Sequence, residues 1–115
     1  MKIIIAGSRS FNDYKKLCSV CDYMLQNQNG IEIVSGVAFG ADKLGELYAK
    51  EHGYQITQFF AEWDKFGKSA GYKRNEEMAK YADALIVFWN GQSKGTEHMI
   101  NLGKQYGLKI KIHRF

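Results

Sequence analysis

The chain has 115 residues, 45% of them hydrophobic, 24% charged and 14% aromatic, which suits one domain around one core and leaves no room for two cores with a cleft between them. A single domain over residues 1–115 is therefore expected, without linker, internal repeat or low-complexity tail. The net charge of +4 is compatible with an anionic ligand without demanding nucleic acid. No window approaches the ~20 apolar residues of a membrane helix, and the apolar run at the start is broken by Gly7, Ser8 and Arg9 too early for a signal peptide. A cytoplasmic location with no membrane partner is expected.

In chain order, KIIIAG, IEIVSG, YQITQFF, ADALIVFW and LKIKIHRF read as five short strands separated by amphipathic helical patterns. The helices are predicted from about Asn12 to Gln26, with Asn12 as N-cap, from Ala41 to His52, from Ala70 to Tyr81, and from Thr96 to Tyr106, with Thr96 as cap. Strands alternating with helices imply an α/β fold: a small Rossmann-like, doubly wound parallel sheet with helices on both faces. Cys18 and Cys21 have C-x-x-C spacing but fall on a helical pattern without further ligands nearby, and read as buried reduced thiols. The three histidines share no metal-binding spacing; no metal site and no cofactor are identified. Lys109, Lys111 and Arg114 read as a solvated strand edge.

The glycines separate into two groups. Gly30, Gly53 and Gly107 directly precede strands, as left-handed caps do, and Gly45 and Gly103 lie inside helices, where close packing must compensate for them. The other seven (Gly7, Gly36, Gly40, Gly67, Gly71, Gly91 and Gly95) fall in loops leaving the carboxyl ends of the strands, the rim where open α/β sheets bind ligands.

The rim loops carry the candidate chemistry. Gly7, Ser8 and Arg9 combine close backbone approach with a hydroxyl and a guanidinium suited to phosphate, or form a simple helix-capping turn. In Ser35-Gly36-Val37-Ala38-Phe39-Gly40-Ala41-Asp42, Asp42 either holds a ribose hydroxyl or a metal-bound water, or complements the helix dipole. The loop after the third strand is basic and aromatic, with Trp63, Lys68, Arg74 and Asn75 as candidates for clamping phosphate and stacking a base; Trp89 is another stacking candidate. Ser93, Gly95 and Thr96 open the last helix as a phosphate seat. The loop lacks the order G-x-x-x-x-G-K-[ST], so an ATPase reading has no support.

Together GSRSF, SGVAFGAD, the tract from FFAEWD to FWNG, and SKGT resemble the YspA-like, YpsA-related branch of the SLOG superfamily over essentially the whole chain. The resemblance implies a Rossmann-like domain binding a nucleotide or nucleotide derivative along the rim. The branch's usual second-loop run is closer to Gly-Gly-Ala-x-Gly-Ala-Asp, and Val37 stands where its second glycine falls. Lonely-guy phosphoribohydrolases in the superfamily use an arginine in E-R-K-x-x-M-A and a glutamate in P-G-G-x-G-T-x-x-E. Lys73-Arg74-Asn75-Glu76-Glu77-Met78-Ala79 is similar to the first, with Arg74 on the arginine, but in the second the glutamate position falls on Met99. Glu97, two residues earlier, is displaced by ~200° around the helix.

The expectation is thus a nucleotide-binding sensor, carrier or sequestering protein, with Asp42 or Glu97 as the candidate catalytic residues under the alternative of a nucleotide hydrolase. Single-stranded DNA binding, as in the DNA-processing protein A family, is the third choice. A homodimer is expected, since partner loops would complete a small rim.

Overall fold

Ile3, Ile4 and Ile5 are fully buried, and such an uninterrupted apolar run is what a strand covered on both faces requires. In the computed structural model, which describes residues 1–115, this run is the centre of β1 (Lys2–Gly7). The remaining strands are β2 (Glu32–Ser35), β3 (Gln55–Gln58), β4 (Ala84–Trp89) and β5 (Lys109–Arg114). All pairings are parallel, in the order β3-β2-β1-β4-β5. Alternation divides β1 between two cores: Ile3 and Ile5 face α1 (Tyr14–Leu25) and α2 (Ala41–His52), while Ile4 and Ala6 face α4 (Ala70–Tyr81) and α5 (Lys94–Gln105). The predicted Rossmann-like sheet with helices on both faces is the observed fold.

Two predicted caps are corrected. Asp13, not Asn12, caps α1: its Oδ1 accepts from the Lys16 amide at 3.1 Å, the third helical position that a cap side chain reaches. Ser93, not Thr96, caps α5, and Thr96 supplies the amide that Ser93 Oγ accepts, at 3.4 Å. The loop predicted after β3 is partly helical, containing α3 (Trp63–Phe66) and a 3-10 turn, Gly67–Ser69, that leads into α4.

Gly45 shows why a helix keeps a residue of poor propensity: a Cβ there would lie 2.7 Å from Ile5 Cγ2. α2 therefore rests directly on the central strand. Cys21 lies in the same core, where burial pushes its thiol up to about 12, whereas Cys18 is only half-buried; both are free. No helix is long and apolar enough to cross a membrane.

The order places α1, which follows β1, and α5, which follows β4, on opposite faces of two neighbouring strands. At such a switch point the chain diverges and leaves a crevice at the carboxyl ends of the strands.

Candidate functional site

That crevice is a cleft of about 550 Å³, within the usual range for a small-molecule site. Of the residues singled out in the sequence, Gly7, Arg9, Gly36, Asp42, Trp63, Lys68, Arg74, Asn75, Ser93, Gly95 and Thr96 line it. Ser8, Ser35, Gly40, Glu97 and Trp89 do not, and four of these five have other work. Ser8 ties two rim loops together, its amide donating to Phe88 O at 2.9 Å and its Oγ accepting from the Asn90 amide at 3.2 Å. Ser35 Oγ donates to Glu46 at 2.6 Å and accepts from the Val37 amide at 3.0 Å. Gly40 lets the second loop pass the first, since a Cβ there would lie 2.5 Å from Ser8 O. Trp89 donates its indole N–H to Ser93 O at 3.1 Å, and Arg114 packs over its ring. Glu97 is exposed and outside the cleft, while Met99, at the position of the phosphoribohydrolase glutamate, is buried in the cleft wall.

Asp42 sits on the cleft floor, 5% exposed. Burial pushes its carboxyl up to about 6, outweighing the opposing pull of the Ala38 amide and of Arg74. Arg74 makes no ion pair with it within 4.0 Å. Instead Arg74 Nη1 donates to Gly36 O at 2.5 Å and Nε to Asn75 Oδ1 at 3.1 Å. A Cβ on Gly36 would stand 2.8 Å from Asp42 Oδ2 and 3.2 Å from Arg74 Cζ, so glycine is what allows the acid and the guanidinium to come together here. Burial, followed by the proximity of Arg9, lowers the Arg74 pKa, with Asp42 opposing the shift.

Val37 has φ 63°, a conformation ordinarily reserved for glycine and strained for a β-branched residue. The loop thus takes a left-handed turn at a residue that carries a side chain. Its amides are turned inward: Val37 N–H serves Ser35 and Ala38 N–H donates to Asp42 Oδ2 at 3.3 Å. Anion-accepting amides lie across the cleft at the start of α5, where those of Lys94 and Gly95 have no acceptor in the chain and Gly95 faces open space. Such unpaired amides at a helix N-terminus favour negative charge.

An aromatic rim surrounds the cleft that no single stretch of the sequence reveals. Phe39, Phe60 and Tyr72 join Trp63 around the cleft, each between 48% and 75% exposed. Four large aromatics left in solvent at one opening form a local apolar surface that demands an occupant more than scattered exposed residues do. Phe39 and Tyr72 lay within quoted motifs, but only the meeting of the loop after β2 with the segment after β3 gives them a shared signal. No cluster of three or more His, Cys, Asp or Glu is arranged to hold a metal ion.

The fold is shared with DNA processing protein A from Streptococcus pneumoniae, with a TM-score of 0.77 at 19% identity; the match covers 96% of this chain and 49% of that one, so the chain spans about half of that protein's length. In sequence, the chain is 30% identical over 116 residues to the Gene 61 protein of Mycobacterium phage D29, covering 95% of this chain and 93% of that protein. The family model for YspA, cpYpsA-related SLOG proteins matches residues 1–66, which takes in the first two rim loops and stops before Arg74. Since that match takes in more than half of the chain, the chain belongs to the YspA, cpYpsA-related SLOG family.

Proposed function

We propose that the cleft binds a nucleotide or nucleotide derivative, with phosphate at Arg74, Arg9 and the amides opening α5, and the base among the exposed aromatics. The observation that carries this reading is a single cleft lined by two unlike sets of groups. One presents a guanidinium already held by two acceptors and a helix N-terminus with unpaired amides; the other presents Phe39, Phe60, Trp63 and Tyr72 to solvent. Phosphate satisfies the first set through charge-assisted hydrogen bonds, and a planar base satisfies the second by stacking. Lys68 adds positive charge at the mouth.

Calorimetry with nucleosides and their mono- and diphosphates tests the reading. Phosphorylated forms are expected to bind at least tenfold more tightly than the nucleoside, because each charge-assisted contact contributes about 1.5–3 kcal/mol. Arg74→Ala should remove most of that preference. Equal affinities for nucleoside and nucleotide would refute the phosphate seat.

One observation favours a second reading, nucleotide hydrolysis. Asp42 is a buried carboxyl at the cleft floor, poised by burial near pH 6, as a general acid or base at neutral pH requires. Glu97 has no such setting. Incubation with adenosine, guanosine and cytidine monophosphates distinguishes the readings: free base released by the wild-type protein and abolished in Asp42→Asn supports hydrolysis, and its absence supports binding alone.

A further inference from the structure

We infer that Asn75 is a positioning residue whose carboxamide fixes the direction of Arg74 and ties it to the opening turn of α5, so that one buried side chain sets two of the anion contacts of the cleft. The ligand side of this inference rests on the proposed nucleotide site. The geometry itself does not.

Asn75 borders the cleft but is almost wholly buried, and its polar atoms are directed into the protein. Oδ1 accepts from Arg74 Nε at 3.1 Å. Nδ2 faces two acceptors on α5, Gly95 O and His98 Nδ1, both at 3.4 Å. These last two are long, so the tie to α5 is the weaker one and the hold on Arg74 the stronger. Burial lowers the His98 pKa and favours the neutral ring, which can offer Nδ1 as an acceptor. With Oδ1 taken by Arg74 and Nδ2 facing α5, Asn75 has little left for a ligand.

The consequence falls on Arg74. Gly36 O holds Nη1 and Asn75 holds Nε, which fixes the plane of the guanidinium at two points, while Nη2 has no acceptor in the chain. A donor fork fixed in advance loses less rotamer freedom on binding an anion. Removing Oδ1 leaves the Gly36 contact as a single pivot, about which the guanidinium can turn. Gly95 carries the other half of the effect, since its carbonyl faces Asn75 while its amide opens on the anion side.

The test uses the full chain in two arms. In the first, nuclear magnetic resonance of 15N-arginine-labelled protein without ligand follows the Arg74 Nε–H signal, assigned by its loss in Arg74→Lys. Slow exchange with solvent is expected in wild type and in Asn75→Asp, which keeps the acceptor, and fast exchange in Asn75→Leu. In the second, calorimetry with adenosine 5′-monophosphate completes a double-mutant cycle. Asn75→Leu is expected to weaken binding at least tenfold in the wild-type background and less than threefold in Arg74→Ala, because residues acting as one unit are not additive. Circular dichroism verifies folding, and Asn75→Ser replaces Asn75→Leu in both arms if the latter unfolds. Protection of Nε–H in a folded Asn75→Leu or Asn75→Ser protein, or additive losses in the cycle, overturns the inference. Absence of any binding by wild type defeats the proposed site for this nucleotide, and the first arm then decides the positioning role by itself.

Discussion

Val37 and Asp42 each occupy a place for which the isolated side chain is poorly suited. At φ 63° a β-branched residue is strained, by roughly 1–2 kcal/mol for the left-handed region alone. Glycine relieves this strain while losing about 0.5–1 kcal/mol through the greater freedom of the unfolded chain. Val37→Gly is therefore expected to leave the melting temperature unchanged or slightly raised, where the same change at an ordinary half-buried valine lowers it. A thermal melt followed by circular dichroism checks this, and a drop of several degrees would show that Val37 packing outweighs its strain. Gly36, beside it, was visible in the sequence as a rim glycine. Its reason, the approach of Asp42 and Arg74 to the point where a Cβ would stand, was not, because those side chains are six and thirty-eight positions away.

Among the elements, the spans of α2 and α4 follow directly from the apolar spacing, and both match their predicted limits, Ala41–His52 and Ala70–Tyr81. The ends of α1 and α5 do not, since Asn12 and Asp13, or Ser93 and Thr96, are all competent caps by type. Which one caps depends on where the preceding strand and loop deliver the chain. Asp13→Ala is expected to destabilise the protein by about 1 kcal/mol and Asn12→Ala by much less, with Ser93→Ala resembling Asp13→Ala. Chemical denaturation measures all three, and equal effects at positions 12 and 13 would contradict the cap assignment. Helicity after β3 escaped the periodicity because Trp63–Phe66 is a single turn, shorter than any repeat that could reveal it.

For the whole molecule, burying Asp42 links folding to pH. Its folded-state pKa, about 6, lies above the ordinary 3.8, so the folded protein binds the proton more tightly than the unfolded chain does. Well below pH 3.8 the carboxyl is neutral in both states and the burden is absent; it grows between pH 3.8 and about 6 and is complete above that, on the order of 2–3 kcal/mol. Asp42→Asn is accordingly expected to be more stable than wild type at pH 7.5, with the difference narrowing as pH falls from 6 to 4. Paired urea titrations across that range test the sign. A constant difference would show that the carboxyl does not titrate there.

The sequence by itself determined the strands, the alternation of strand and helix, and the rim on which the chemistry would gather, because hydrophobic periodicity and glycine placement are local signals. It also separated Glu97 from Met99, since helical rotation fixes their directions. The tertiary structure decided which rim residues share the cleft. Ser8 and Ser35 have the side chains of ligand contacts but are bonded within the fold, to Asn90 and Glu46, while Phe39 and Tyr72, without polar chemistry of note, meet Trp63 around the opening. Hydrogen-bond partners and solvent exposure arise only when the sheet sets the segments after β1, β2, β3 and β4 along one rim, and no local pattern carries that distance.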